Sequence, residues 1–109
     1  MDFPKDQVEE LEQLFPGATR AEEGGVAFFL LPQVRLPGRT PTEVEALLCP
    51  VQRDGYPSRL FLAQQVQPCR AGGWGTVRIL ERNWYVVSWR TREGLRLAQM
   101  VLAHVDALK

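Results

Sequence analysis

The chain has 109 residues, of which 45% are hydrophobic and 24% are charged. This is the size and mixture of one globular domain over residues 1–109, and it excludes a disordered chain, which lacks so much apolar content. The 13 basic and 13 acidic side chains cancel, and no dense basic run is present. Neither nucleic acid nor a membrane is therefore an expected partner.

The charges divide unevenly between the two halves of the chain. Residues 1–52 carry four basic side chains against nine acidic ones, a net charge of −5, whereas residues 53–109 carry nine against four, a net charge of +5. A basic half can face an acidic partner, or it can be a solvated surface with mixed charges. The sequence leaves both interpretations open.

The cysteines and the first residues favour a cytoplasmic protein. Cys49 and Cys69 are too few for a disulfide scaffold and lack C-x-x-C spacing, so we expect free thiols. The chain opens with charged residues such as Asp2 and Lys5, which is not typical of a signal peptide. Cys49 falls in an apolar segment and is expected to be buried and inert.

The hydrophobic pattern predicts a helix at each end of the chain. Apolar residues recur at helical spacing over residues 6–15, and Pro16 ends this first helix. Helical spacing returns after Thr91, a candidate N-cap, with an apolar stripe wide enough to dock on a sheet. The stripe consists of Leu95, Ala98, Val101, Leu102, Val105 and Leu108.

Short strands separated by glycine and proline are predicted between the helices. Pro32 is expected to end the first of them. The strands are residues 26–31, 44–49, 59–63, 76–80 and 84–89. With connections of hairpin length, this order predicts an α+β fold, an antiparallel β-meander flanked by an N-terminal and a C-terminal helix.

Few residues are suited to enzyme chemistry. His104 is the single histidine, so a triad or zinc site built on several histidines is excluded, and its place beside the apolar stripe predicts a packed or rim residue. The glycines at residues 72–75 lack the strand-to-helix context of a phosphate-binding loop. No metal and no cofactor is expected.

Tryptophan and arginine concentrate late in the chain, at Trp74, Arg78, Trp89 and Arg90. Both residue types are enriched in interface hot spots, which makes these four candidate partner-binding residues. The alternative is that the aromatic side chains of the strands simply fill the core.

The order of several motifs resembles the ubiquitin-conjugating (UBC) fold. In that fold a Tyr-Pro turn precedes a strand with a Phe, and a His-Pro-Asn tripeptide follows. Here Tyr56-Pro57 and Phe61 match, and residues 67–69, Gln-Pro-Cys, fall where the tripeptide would be. The resemblance implies a UBC-like domain.

The prokaryotic UBC-like family E is the closer resemblance. Its Glu-Gly-Gly-like and Leu-Pro-x-Gly-like turns match residues 23–25 and 36–38, and its Trp-x-x-x-Ser-Arg-His-like stretch matches residues 84–90. Such bacterial proteins are similar to components of ubiquitin-like conjugation systems, some of which are implicated in antiphage defence. The resemblance implies a ubiquitin-like protein or an activating enzyme as partner.

The sequence departs from this pattern at the reactive cysteine. A conjugating enzyme carries its modifier as a thioester on a cysteine, because sulfur is both a good nucleophile and a good leaving group. The matching positions hold Thr76, Val77 and Arg78. The resemblance therefore implies a non-catalytic binding or scaffold module.

Two alternatives remain. Cys69 could form the thioester in an active-site loop with Gln67, Pro68 and Arg70, where the neighbouring arginine would help stabilise a thiolate. The chain would then be an active ubiquitin-like-protein transferase. The other alternative is an α+β adaptor unrelated to protein conjugation, since a fold does not fix a function.

Overall fold

The computed structural model describes residues 3–67 and 73–108. Within these residues a helix precedes a six-stranded sheet and a second helix follows it, which confirms the predicted α+β order. The elements are α1 Lys5–Leu14, β1 Thr19–Glu23, β2 Val26–Arg35, β3 Glu43–Cys49, β4 Arg59–Leu62, β5 Trp74–Ile79, β6 Arg82–Val87 and α2 Leu97–Ala107.

All neighbouring strands are antiparallel, in the spatial order β1-β2-β3-β4-β6-β5. The first four strands follow chain order, as a meander does. The last hairpin is reversed, so β6 rather than β5 adjoins β4, through the single residue pair of Leu62 and Tyr85. The two ends of β6 therefore lie in different surroundings.

The prediction missed β1 and ended β2 too early, and it began β5 and β6 two residues too late. β1 was missed because four of its five side chains are exposed, so it shows no apolar alternation and depends on its backbone pairing with β2. Pro32 does not end β2. The register shifts between Leu31 and Val34 as in a β-bulge, which accommodates a residue that lacks an N–H.

The sheet separates two hydrophobic cores. The first lies between the sheet and the two helices, and includes Leu11 of α1, Leu62 of β4 and Val101 of α2. The second lies on the opposite face, around Phe61 and Trp84. Each fully buried large apolar side chain contributes about 1.5–3 kcal/mol.

The second core is closed by the curl of the sheet rather than by a helix. The turn between β5 and β6 reaches the far strands, since the Leu80 N–H donates to Glu23 Oε2 at 2.9 Å. Arg82 Nη2 also lies 2.6 Å from Glu45 Oε1 on β3. These contacts bring the β5–β6 hairpin across the face that contains Trp84.

The second helix begins at Leu97 and not at Thr91. Gly94 has a φ of 81°, which interrupts any helix before it. The Arg96 N–H donates to Gln99 Oε1 at 2.9 Å and thereby caps the true start. The connection from β6 to α2 is consequently an irregular segment on the surface.

The apolar stripe of α2 is narrower than predicted. Ala98, Val101 and Leu108 are buried, but Leu102 is 53% exposed. Among the described residues, no helix has the length and apolar character needed to span a membrane.

Candidate functional site

Cys69, Pro68 and Arg70, three of the four residues of the predicted active-site loop, lie outside the described residues. Gln67 is exposed, and its main chain forms two hydrogen bonds with that of Thr40, at 2.8 and 3.0 Å. The thioester hypothesis for Cys69 therefore stays a prediction.

The other cysteine is well defined. Cys49 is 0% exposed, and its Sγ lies 3.5 Å from the Val51 carbonyl oxygen. Burial raises the pKa of the Cys49 thiol, which disfavours the reactive thiolate. Its predicted burial is confirmed, and its environment opposes a nucleophilic role.

The four predicted partner-binding residues fall in separate places. Trp74 is half-buried against the first core. Arg78 is exposed, and its Nη1 donates to Asn83 Oδ1 at 3.4 Å near the start of β6. Trp89 and Arg90 follow the opposite end of β6, a strand that is about 17 Å long. Only these last two residues lie together.

A tight hairpin faces Arg90. Asp54 and Gly55 have φ angles of 54° and 84°, and the backbones of Arg53 and Tyr56 on either side exchange two hydrogen bonds of 2.9 Å. This is the geometry of a type I′ turn, for which Asp-Gly is a strong sequence signal. This Asp-Gly signal was not used to predict a hairpin from the sequence.

The Tyr56 ring lies beside two arginines with different surroundings. The Arg59 Cζ is 4.3 Å from the ring centroid, and the Arg90 Cζ is 5.3 Å from it. Arg59 is buried, and its Nη1 donates to Asp54 Oδ2 at 3.4 Å. Arg90 is exposed and has no carboxylate partner in the described ranges.

Three adjoining cavities surround residues 90–95, and we call them together the 90–95 groove. The first, of about 320 Å³, lies between the Asp54–Gly55 hairpin and residues 90–93. The second, of about 500 Å³, lies along α2 and is named the helix cavity. The third, of about 300 Å³, reaches Pro57 and Met100. Arg92 lines all three cavities.

A buried polar chain anchors the groove. Thr91 Oγ1 and Ser58 Oγ lie 3.0 Å apart, and Ser58 Oγ lies 3.0 Å from His104 Nε2. All three residues are less than 10% exposed, so His104 is a packed residue as predicted. Burial lowers the pKa of His104 to about 4, which leaves the ring uncharged at neutral pH. Thr91 is thus held in place between two exposed arginines.

Four of the seven described arginines after residue 52 pair with acidic side chains. Arg82 pairs with Glu45, and Arg96 pairs with Asp6 and Glu10 of α1. These ion pairs join arginines of the basic half to acids of the acidic half, and so neutralise part of the charge difference between the two halves. Within the described ranges, the arginines after residue 52 that lack a carboxylate partner are Arg78, Arg90 and Arg92.

Arg92 was not singled out from the sequence. The signal available in the sequence was its position two residues after Arg90, with one threonine between them. Its side chain is exposed and has neither an ion pair nor a hydrogen bond to the described residues. The groove therefore presents two guanidinium groups, both available to a ligand.

A scan against protein-family models, a search of curated proteins and a search of solved structures each found no match. The UBC-like resemblance accordingly stays a prediction from its motifs. In the described ranges no three His, Cys, Asp or Glu side chains gather as a metal site would require. What the described site offers is two unpaired cations beside an apolar wall, an arrangement suited to binding.

Proposed function

We propose that this chain is a non-catalytic, UBC-like binding module of a bacterial ubiquitin-like conjugation pathway, and that its protein partner docks at the 90–95 groove. The observation that carries the binding role is the pair of exposed arginines, Arg90 and Arg92, without acidic partners in the described ranges. Arginine is the residue type most suited to planar, two-point recognition of carboxylates.

The shape of the groove supports a protein partner rather than a small substrate. Its cavities are open and adjoin one another around an irregular segment, whereas a small-molecule site is usually one enclosed, mostly apolar pocket. The segment is anchored from below by Thr91. An anchored surface loses less entropy when a partner binds.

Two placements support the UBC-like part of the proposal. Tyr56-Pro57 is separated from β4 by one residue, and Phe61 lies within β4, as the resemblance implies. The first helix leads into a four-stranded meander. Residues 76–78, which match the reactive position, form part of β5 and offer no thiol.

The pathway assignment is tested with the purified protein, ATP, and the ubiquitin-like modifier and activating enzyme of the same genome. The reaction is resolved on non-reducing gels, with a Cys69→Ala variant alongside. Binding of each partner is measured separately by calorimetry. We expect no thiol-sensitive adduct, and binding of at least one partner that is equal in the wild type and in Cys69→Ala.

Two other results would replace this proposal. A thiol-sensitive adduct that disappears in Cys69→Ala would identify an active conjugating enzyme with a relocated cysteine. No adduct and no binding of either partner would leave an α+β adaptor outside protein conjugation.

A further inference from the structure

The two arginines of the groove, Arg90 and Arg92, are exposed and have no acidic partner in the described ranges. The Arg90 guanidinium lies over the Tyr56 ring, with its Cζ 5.3 Å from the ring centroid. This contact restricts the guanidinium without using its N–H donors on an acid. Arg92, across the buried Thr91, is equally unpaired in the described ranges. Charge-assisted hydrogen bonds from such donors are about twice as strong as neutral ones.

An apolar wall adjoins the arginines. Trp89, Leu95 and Leu102 line the helix cavity together with Arg90 and Arg92. Leu102 is 53% exposed, one of two large apolar side chains in the described ranges that are mainly exposed. An occupant of the helix cavity would therefore meet apolar carbon on one side and guanidinium on the other.

This combination disfavours nucleic acid. A protein that binds duplex DNA neutralises phosphates with Lys and Arg side chains, commonly roughly 6–10 of them. The groove offers two arginines, while the acidic residues Glu93 and Asp106 also line its cavities. A polyanion would meet these acids, whereas a peptide can place single carboxylates at the arginines.

We propose that the 90–95 groove binds an acidic peptide segment of a partner protein. Its two carboxylates pair with Arg90 and Arg92, and an apolar side chain between or beside them enters the helix cavity. This inference rests on the proposed protein-binding function and adds the chemistry of the segment that docks.

The test uses a phage-displayed library of short random peptides, selected in parallel on the wild type and on the Arg90→Glu/Arg92→Glu variant. We expect the wild type to enrich peptides that combine two acidic residues with a nearby apolar one. The affinity of these peptides for the double variant should fall at least about 30-fold, the loss typical of a hot spot. The charge-reversed groove should instead enrich basic peptides.

Arg78→Glu is the matched control, because Arg78 is also exposed and without an acidic partner but lies at the β5–β6 turn. It should bind the selected peptides as the wild type does. Selection of peptides without acidic residues, affinity retained by the double variant, or no selection at all would each overturn the inference. If the modifier or activating enzyme still bound in that case, the proposed function would stand and only the peptide chemistry would fall.

Discussion

Arg82 and Arg90 lie near opposite ends of β6 and make the same contact with different consequences. The Arg82 Cζ lies 4.4 Å from the Trp84 ring, and the Arg90 Cζ lies 5.3 Å from the Tyr56 ring. Arg82 also lies 2.6 Å from the Glu45 carboxylate and holds the pKa of Glu45 below its usual range. Arg90 has no such acid among the described residues. The guanidinium of Arg82 thus stabilises the fold, because an acid pairs with it. The guanidinium of Arg90 can instead bind a ligand.

We call the Arg82 end of β6 the closed end, because its arginine is paired with an acid, and the end beside the 90–95 groove the open end, because its arginine is not. If this division is right, changes at the closed end reduce stability and leave binding intact, while changes at the surface of the open end do the reverse. The buried chain under Thr91 should affect both, because it belongs to the core and also positions the groove.

The largest expected effect is at the closed end, in Trp84→Ala. The Trp84 indole is 0% exposed and its Nε1 donates to the Ile79 carbonyl oxygen at 3.0 Å. Its removal leaves a cavity and should cost about 3–5 kcal/mol of the free energy of unfolding, measured by urea titration. Trp89→Ala, at the half-buried open end, is the control and should cost clearly less. Equal losses would remove the distinction between the two ends.

Protonation of His104, which lies beneath the open end, should reduce the stability of the protein in acid. The folded pKa of His104 is about 4 against an ordinary value of 6.5. The unfolded chain therefore binds a proton first, and stability is lost as the pH falls from about 6.5 to about 4, by about 3 kcal/mol. Burial is the main cause, and the nearby charge of Arg59 adds to it.

His104→Gln is the control for this prediction, because an amide can still meet the Ser58 hydroxyl but does not titrate. Urea titrations of both proteins across this pH range should converge as the pH falls. A stability difference that does not change with pH would show that His104 is not the titrating group.

Thr91→Val should have smaller effects, on both stability and peptide affinity. The valine keeps the shape of the buried side chain but loses the 3.0 Å hydrogen bond to Ser58. We expect the free energy of unfolding to fall by about 1 kcal/mol, and the affinity for groove peptides to fall because the segment is less constrained. Ser88→Ala removes an exposed hydroxyl from the same connection and should change neither quantity. Wild-type affinity in Thr91→Val would contradict the positioning role.

The smallest effect is expected for Glu45→Gln, which breaks the partly exposed pair with Arg82. Such pairs contribute up to about 1 kcal/mol. Because the pKa of Glu45 is lowered in the folded state, its contribution is present at neutral pH and is lost as the pH falls through that pKa. Thermal unfolding should thus show a deficit at neutral pH that vanishes in acid, and peptide affinity should not change. Weaker peptide binding by Glu45→Gln would contradict the independence of the two ends of β6.

The order of the elements could be predicted from the sequence because it depends on local signals. Helical periodicity and the breaks at proline and glycine predicted both helices and five of the six strands. β1 was missed because its exposed side chains carry no apolar pattern. The late start of α2 depends on Gly94 and on the burial of Thr91 against Ser58, a contact between residues far apart in the chain.

The candidate site could be predicted only in part. Trp89 and Arg90 were chosen by residue type, and both line the helix cavity. Arg78 was chosen for the same reason but lies at the other end of β6. Which arginines pair with acids is decided by the curl of the sheet and the packing of the helices, and no local pattern reveals that.

A double-mutant cycle between the groove and a selected peptide tests the central claim most directly. The affinities of the wild type and of Arg90→Gln/Arg92→Gln are measured for the acidic peptide and for the same peptide with its carboxylates changed to amides. We expect a coupling free energy of at least about 1 kcal/mol, because paired charges in contact are not additive. Additive effects would contradict the claim, since they would mean that these arginines do not contact the carboxylates of the partner.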